Sequence, residues 1–152
     1  MPNKKEPFYY KGKYHPLNPS KYSGDLDNIT YRSLWERKVF RYLDEHPSIL
    51  KWSSEEIIIP YRSPIDSRIH RYFPDVLVTF KTKAGETKTM LWEIKPKKQT
   101  APPVKPSRIT KRYIQEVATW GINSEKWARA HEFCAKQGWE FKLITEDDLG
   151  IT

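Results

Sequence analysis

The sequence lacks the features that mark secreted and membrane-spanning proteins. Its 152 residues contain one cysteine, Cys134, which excludes an internal disulfide and a zinc site built from several cysteines. No apolar run approaches the ~20 residues of a transmembrane helix. No apolar stretch follows the charged first residues, so we expect no secretory signal. We therefore expect a protein that is made and used inside a cell.

What the sequence does contain is aromatic residues and positive charge. Aromatic residues make up 14% and hydrophobic residues 38% of the chain, which is enough for one folded domain. The 27 lysine and arginine residues outnumber the 19 acidic residues and give a net charge of +8. A surface of that charge attracts polyanions, so we expect nucleic acid as the partner. An anionic membrane is the weaker alternative, because no basic amphipathic stripe with a clean apolar face is present.

The chain divides into two segments of different composition. Residues 1–29 form an arm rich in lysine, tyrosine, proline and glycine, whereas residues 30–152 are expected to form a single domain. Two interpretations of the arm are open: its rings pack onto the domain, or it contacts nucleic acid through its lysines and rings. The aromatic residues of the arm are Phe8, Tyr9, Tyr10, Tyr14 and Tyr22.

The spacing of apolar residues predicts an α/β fold with a mixed central sheet flanked by helices. The predicted helices span residues 30–45, 107–120 and 125–136, with Gly121 ending the second and Ser124 capping the third. The predicted strands span residues 50–59, 71–82, 87–95 and 139–145, with a loop over residues 61–68. The second and third of these strands are expected to pair as a hairpin.

Two acidic residues, Asp75 and Glu93, lie in strands that are otherwise apolar. A buried carboxylate costs several kcal/mol unless it is paired or binds a cation. Because side chains alternate along a strand, Glu93 and Lys95 point to the same face, and hairpin pairing can place Asp75 beside them. This group suits phosphodiester hydrolysis, since two acids can bind Mg²⁺ and a lysine can act on the attacking water or on the transition state.

Glu36 is a candidate fourth member of this group. Apolar residues follow it at four and seven positions, so it borders the apolar stripe of the first helix. Structural interpretations stay open for both kinds of acid. Asp75 can pair with Arg71 or Arg32, Glu36 can pair with a basic neighbour on its own helix, and an acid two residues before a lysine is common by chance.

The segment that follows the third strand is basic and rich in proline. From Lys95 to Arg112 there are seven basic residues and no acidic one, and four prolines prevent regular structure in the first half. We expect this segment to bind DNA phosphates, with a solvated loop as the alternative. The residues expected to contact DNA are Lys97, Lys98, Gln99, Lys105, Arg108, Lys111 and Arg112.

This combination of residues resembles the PD-(D/E)xK nuclease superfamily. The matching residues are Pro74-Asp75, Glu93-Ile94-Lys95 and, as the upstream helical acid, Glu36. Glu93 follows Asp75 by 18 positions. The resemblance implies a restriction-endonuclease-like core and an Mg²⁺-dependent endodeoxyribonuclease, with Mn²⁺ as a substitute. It implies that Asp75, Glu93 and the Ile94 backbone carbonyl bind the metal and that Glu36 is an accessory ligand. Lys95 is then the catalytic base or the transition-state stabiliser.

A narrower resemblance, to the head completion nucleases of large contractile-tailed phages, rests on strings spread over nearly the whole chain. They lie at residues 31–38, 51–56, 70–75, 93–96, 99–103 and 136–139. This resemblance implies processing of the packaged DNA end before tail attachment, in the host cytoplasm during assembly or in the head–neck region of the virion. It implies portal and neck proteins as partners, and we expect a monomer. Two alternatives stay open: a non-catalytic DNA-binding virion assembly protein on a nuclease scaffold, and a junction-resolving or transposase-like nuclease.

Overall fold

The structure, a computed structural model, describes residues 10–151, so Phe8 and Tyr9 of the arm lie outside the described residues. The strands of the described part are β1 (Gly12–Lys13), β2 (Thr30–Tyr31), β3 (Ile49–Ser54), β4 (Ile59–Arg62), β5 (Ile69–Tyr72), β6 (Val76–Lys81), β7 (Thr87–Ile94) and β8 (Glu140–Ile144). Its α-helices are α1 (Leu34–Glu45), α2 (Lys111–Gln137) and α3 (Glu146–Leu149).

The central sheet has four strands in the order β3–β6–β7–β8. β6 runs antiparallel to β3 and to β7, whereas β8 runs parallel to β7. One core lies between the sheet and α1, and a second lies between the sheet and α2. This arrangement confirms the predicted mixed sheet flanked by helices. Within residues 10–151, no helix is long and apolar enough to cross a membrane.

The position of α1 is fixed by a cap and by an apolar face. The Ser33 hydroxyl accepts a hydrogen bond from the Glu36 N–H (3.1 Å) and so begins the helix. Phe40 and Leu43 are fully buried, and the Phe40 ring lies 5.2 Å from the ring of Trp52 in β3. Burial of side chains of this size contributes roughly 2 kcal/mol each. Glu36, in the first turn, is therefore held in a defined place beside the sheet.

The strand predicted over residues 50–59 is interrupted. β3 ends at Ser54, and Glu55 has a φ of 55°, a left-handed conformation that redirects the chain. Ile59 belongs to β4, which lies in a separate sheet. A β-branched run favours a strand but does not specify which sheet it joins, so the break was not predicted.

β4 and β5 form a two-stranded hairpin where a loop was predicted over residues 61–68. The connecting turn is confined to residues 63–68. Ile59, Tyr61 and Tyr72 of this hairpin are buried in the core that contains α2. Because an isolated hairpin is marginally stable in water, this packing holds it in place and brings Tyr72 to the central sheet.

The strand predicted over residues 71–82 is divided, because Arg71 and Tyr72 belong to β5 and β6 begins only at Val76. Pro74 has no N–H to donate to a sheet, so it does not fit within a paired strand. β6 and β7 do form the predicted hairpin, with Val76 opposite Trp92. The residue before Val76 and the residue after Trp92 therefore meet at one end of this hairpin.

The helices predicted over residues 107–120 and 125–136 are one continuous helix, α2. Gly121 does not end it, although glycine in a helix interior costs about 1 kcal/mol relative to alanine. Ser124, the expected cap, lies inside the helix. Tertiary packing explains the difference, because Trp127 and neighbouring residues of α2 are buried against the sheet and the hairpin.

The described part of the arm packs on the domain. Tyr14 and Tyr22 are buried, and their rings contact Trp52 edge to face. The buried Asp44 carboxylate accepts hydrogen bonds from the Tyr14 hydroxyl (2.7 Å) and from the Leu17 N–H (2.8 Å). For these two tyrosines the structure supports packing, the first of the two interpretations of the arm.

Candidate active site

Asp75 and Glu93 lie side by side at one end of the central sheet. Val76 pairs with Trp92 in the register of β6 and β7, so the antiparallel geometry places Asp75 opposite Glu93. The backbone N–H of Ile94 donates a hydrogen bond to Asp75 Oδ2 (2.7 Å). This bond fixes the Asp75 carboxylate against the strand that carries Glu93.

The Glu93 carboxylate is held from two sides. It is 8% exposed, and its Oε1 accepts a hydrogen bond from the Tyr72 hydroxyl (2.8 Å). Its Oε2 lies 3.8 Å from Lys95 Nζ. The Lys95 side chain is 24% exposed, so its ammonium group borders both the buried carboxylate and the solvent.

Glu36 approaches the same site from the first turn of α1. It is 9% exposed, and its Oε1 accepts a hydrogen bond from the Arg32 N–H (3.0 Å). The structure thus brings together the four predicted side chains: Glu36, Asp75, Glu93 and Lys95.

The arginines considered as structural partners of Asp75 have other contacts in the described part of the chain. Arg32 forms an ion pair with Glu55 at 2.9 Å. The Arg71 guanidinium lies 5.6 Å from the centre of the Phe73 ring. Neither arginine therefore forms an ion pair with Asp75 in the described part of the chain.

Burial raises the pKa of the three carboxyl groups at this site. The pKa of Asp75 lies well above its usual value because of burial and then the charges of Glu93 and Glu36. The pKa of Glu93 is raised by burial, which outweighs the opposing effect of Lys95. Burial, with the nearby charges of Glu55 and Glu93, raises the pKa of Glu36 to about 7. A bound cation would relieve this crowding of negative charge.

The donor set suits a hard divalent cation that keeps much of its water. Across residues 10–151, no group of three His, Cys, Asp or Glu side chains has ready-made metal-binding geometry. Mg²⁺ needs no such cage, because it commonly uses one or two carboxylates and retains several waters. Asp75 and Glu93 provide such a pair, and Glu36 is a further carboxylate in the same electrostatic environment.

A second lysine at the site was missed by the sequence analysis. Lys126 of α2 places its Nζ 5.4 Å from the centre of the Tyr72 ring and 5.6 Å from that of Tyr61. Burial lowers the pKa of Lys126, and the charge of Glu93 opposes that shift. The sequence gives only a weak signal that Lys126 belongs to the site. This lysine directly precedes the buried Trp127 and so lies beside the apolar stripe of a helix.

The predicted DNA-binding residues occupy three kinds of surroundings. Lys97 forms an ion pair with Asp147 of α3 (3.0 Å), which partly compensates its charge. Lys98, Gln99 and Arg112 line a groove of about 680 Å³ between the proline-rich segment and α2. The predicted residues that are exposed and do not line this groove are Lys105, Arg108 and Lys111.

In the absence of divalent ions, the free energy of unfolding should fall as the pH rises. The folded chain keeps the Glu36 proton up to a pKa of about 7, whereas the unfolded chain releases it near the ordinary value of 4.5. Between these values the unfolded state binds fewer protons, so the free energy of unfolding falls with pH. Relative to Glu36→Gln, the wild type should lose on the order of 2 kcal/mol across this window.

Thermal unfolding in EDTA at several pH values measures this effect. Glu45→Gln is the matched control, because Glu45 is an exposed residue of the same helix and should behave as the wild type. Equal pH dependence in the wild type and in Glu36→Gln would contradict the raised pKa.

Comparison with known proteins agrees with this architecture. The family model described as TnsA-like endonuclease N terminal matches residues 46–146. The chain is 44% identical over 144 residues to the protein named "Head completion nuclease" of Enterobacteria phage T4, and the match covers 92% of this chain and 93% of that protein. No solved structure matches the chain. The chain therefore belongs to the TnsA-like endonuclease family, of the PD-(D/E)xK type, and the expected restriction-endonuclease-like fold is confirmed.

Proposed function

We propose that this chain is a metal-dependent endonuclease that hydrolyses phosphodiester bonds in DNA. The observation that carries the proposal is the placement of Asp75 opposite Glu93, with Lys95 Nζ 3.8 Å from Glu93. The family match and the net charge of +8 support DNA as the substrate. Each requirement of the reaction has a group at this site: a place for a cation, a positive charge at the phosphate and a group that can act on water.

Asp75 and Glu93 would hold Mg²⁺, or Mn²⁺ in its place, and the Ile94 carbonyl and Glu36 would add ligands. The bound cation would stabilise charge on the phosphate and lower the pKa of an attacking water. The Ile94 N–H orients Asp75, and the Tyr72 hydroxyl orients Glu93. Such outer hydrogen bonds hold carboxylates in the geometry that metal binding needs.

Lys95 is the group best placed to act on the substrate. Its partly exposed side chain lies at the rim of the carboxylate pair. As an ammonium it can orient water and stabilise the extra negative charge of the transition state, whereas only its neutral amine form could accept a proton from water. Lys126 adds a second positive charge beyond the Tyr72 ring. We propose an electrostatic role for Lys126 and a direct role for Lys95.

We further propose that the enzyme acts in phage head completion. The match to the relative named "Head completion nuclease" covers 92% of this chain, so the likeness extends beyond the nuclease core into at least part of the N-terminal arm. The proposed reaction is the processing of the packaged DNA end before tail attachment. The proposed setting is the host cytoplasm during assembly or the head–neck region, as a monomer that meets portal or neck proteins.

Two alternatives can be distinguished from this proposal by which DNA the chain cleaves and by whether it cleaves DNA at all. The family match to TnsA-like endonucleases favours a transposase-like or junction-resolving nuclease as the second candidate. A non-catalytic scaffold is the third, and the presence of Asp75, Glu93 and Lys95 at one site argues against it. Incubation of the purified chain with linear and with branched DNA in Mg²⁺ tests all three. We expect cleavage of linear DNA; exclusive cleavage of branched DNA would support the second candidate, and binding without cleavage would support the scaffold.

The combined change Lys98→Ala and Arg108→Ala should weaken the binding of all DNA sequences alike. Each lost phosphate contact should flatten the slope of log K against log salt by roughly one unit, because fewer counterions are released. Lys97→Ala should have a smaller effect, since Lys97 is already paired with Asp147. Fluorescence anisotropy over a range of salt concentrations measures the slope.

Lys136→Ala is the control for this measurement, because Lys136 is an exposed residue at the far end of α2. An unchanged slope in the Lys98 and Arg108 variant would show that the DNA runs elsewhere. The lysines of the N-terminal arm would then be its most plausible contacts.

A further inference from the structure

α2 extends past the sheet on which it packs. Its 27 residues correspond to about 40 Å, whereas the eight residues of β7 span about 27 Å. The first buried residue of α2 is Asn123, and the half-buried Trp120 and Ile122 just before it also pack against the core, so roughly two and a half turns of the helix precede the part that contacts the core. The proline-rich segment over residues 98–106 lies opposite these turns.

The space between the segment and the helix is the groove of about 680 Å³ described above. Pro103 and Pro106 are among the residues of one wall, and Tyr113 and Trp120 are the aromatic residues of the other. A site of this volume accommodates a ligand the size of roughly one or two nucleotides and excludes a base-paired duplex. Its walls are stiff, because proline restricts one of them and helical hydrogen bonds restrict the other.

The charge of the groove is positive. Lys98 and Arg112 line it, and one acidic residue, Glu116, lies 3.4 Å from Arg112 and pairs with it. Lys98 has no ion-pair partner within the described residues. The exposed cations Lys105 and Arg108 belong to the same segment. A polyanion therefore fits this surface better than a neutral or acidic ligand.

The groove leads to the candidate active site. Asn123 is the last residue of α2 that lines it, and Lys126 follows one turn later on the same side, about 4.5 Å further along the helix axis. Lys126 lies over the ring of Tyr72, whose hydroxyl donates to Glu93. The opposite wall begins three residues after Lys95.

We propose that this groove binds a short single-stranded segment of DNA beside the cleavage site, so that the substrate is a duplex with a single-stranded tail. The inference rests on the proposed DNA-cleaving function. Tyr113 and Trp120 offer rings on which bases of any sequence can stack. Lys98 provides a contact for phosphate, and the small volume of the groove favours an unpaired strand over a duplex.

Fluorescence anisotropy in EDTA tests this proposal without cleavage. The probes are a labelled blunt duplex, the same duplex with a single-stranded oligothymidine tail, and the tail alone. The wild type should bind the tailed duplex at least about fivefold more tightly than the blunt duplex, as expected for one stacked base. Tyr113→Ala should remove this preference and leave blunt-duplex binding unchanged. Tyr42→Ala, which alters an exposed ring on α1, should keep the preference.

A crosslinking measurement covers the case in which Tyr113→Ala does not fold. Bromouridine in the tail should crosslink the wild-type protein within the peptide that carries Tyr113 and Trp120. Equal binding of tailed and blunt duplexes would overturn the proposal, as would adducts found only in fragments of the protein that lack Tyr113 and Trp120. The alternative ligand of the groove would then be a peptide segment of a partner protein. Because binding is measured in EDTA, a tail preference without cleavage in Mg²⁺ would contradict only the catalytic proposal. Cleavage without tail preference would contradict only the groove.

Discussion

Asp75→Asn and Glu93→Gln should each lower the rate of DNA cleavage by at least about 10³-fold, because several kcal/mol of metal-derived stabilisation would be lost. Each change keeps the size of the side chain and removes one of the two charges that face each other across β6 and β7. Both variants should also bind Mn²⁺ more weakly than the wild type. Single-turnover cleavage of labelled DNA and calorimetric titration with Mn²⁺ measure the two effects.

The folded state of these two variants should be at least as stable as that of the wild type in EDTA. Burial raises the pKa of Asp75 and of Glu93, so the loss of either charge relieves an unfavourable interaction when no cation is bound. Glu140→Gln is the matched control, since Glu140 is an exposed acid on β8 that pairs with Lys88. Wild-type cleavage by a folded Asp75→Asn or Glu93→Gln would refute the assignment of the site.

Lys95→Met should reduce cleavage by roughly 10²- to 10⁴-fold while Mn²⁺ binding stays within a small factor of the wild-type value. The expected separation follows from geometry. Lys95 is a cation 3.8 Å from Glu93, so it can act on water or on the phosphate but does not coordinate metal. Its loss removes a positive charge from the acid pair, which should not weaken the attraction for a divalent ion.

Lys88→Met serves as the control on β7, the strand that Lys95 directly follows, because Lys88 is exposed and pairs with Glu140 on β8. It should cleave at the wild-type rate. Loss of Mn²⁺ binding together with cleavage in Lys95→Met would contradict a role confined to water and substrate. It would point instead to a structural requirement for the ion pair with Glu93.

The proposed catalytic group was predictable because local rules fixed most of its geometry. Alternation along a strand put Glu93 and Lys95 on one face, and a tight turn near Gly85 specified which strands pair. The placement of Glu36 followed from helical spacing against buried Phe40. None of these inferences required knowledge of distant contacts.

Apart from the start of β6, which the local effect of Pro74 explains, the features that were not predicted depend on distant contacts. The break at Glu55 separates one apolar run into two sheets, and its cause lies in the packing of the second strand against α2. Gly121 remains helical because the helix on either side of it is supported by tertiary contacts. Lys126 joined the site only because that unbroken helix carries it over Tyr72.

The basic segment shows a related limit. A count of charges treated its lysines and arginines as equivalent, but Asp147 of α3 partly compensates the charge of Lys97, whereas Lys98 lines a groove. Sequence composition therefore indicated the sign of the surface, and the fold decides which residues can contact DNA.

Cleavage of linear DNA by the purified wild-type chain, in EDTA and after addition of excess Mg²⁺, tests the central claim most directly. If Asp75 and Glu93 form a metal-dependent site, the DNA should stay intact in EDTA and should be cut once Mg²⁺ is restored. Undiminished cleavage in EDTA, or intact DNA in both Mg²⁺ and Mn²⁺, would contradict the account.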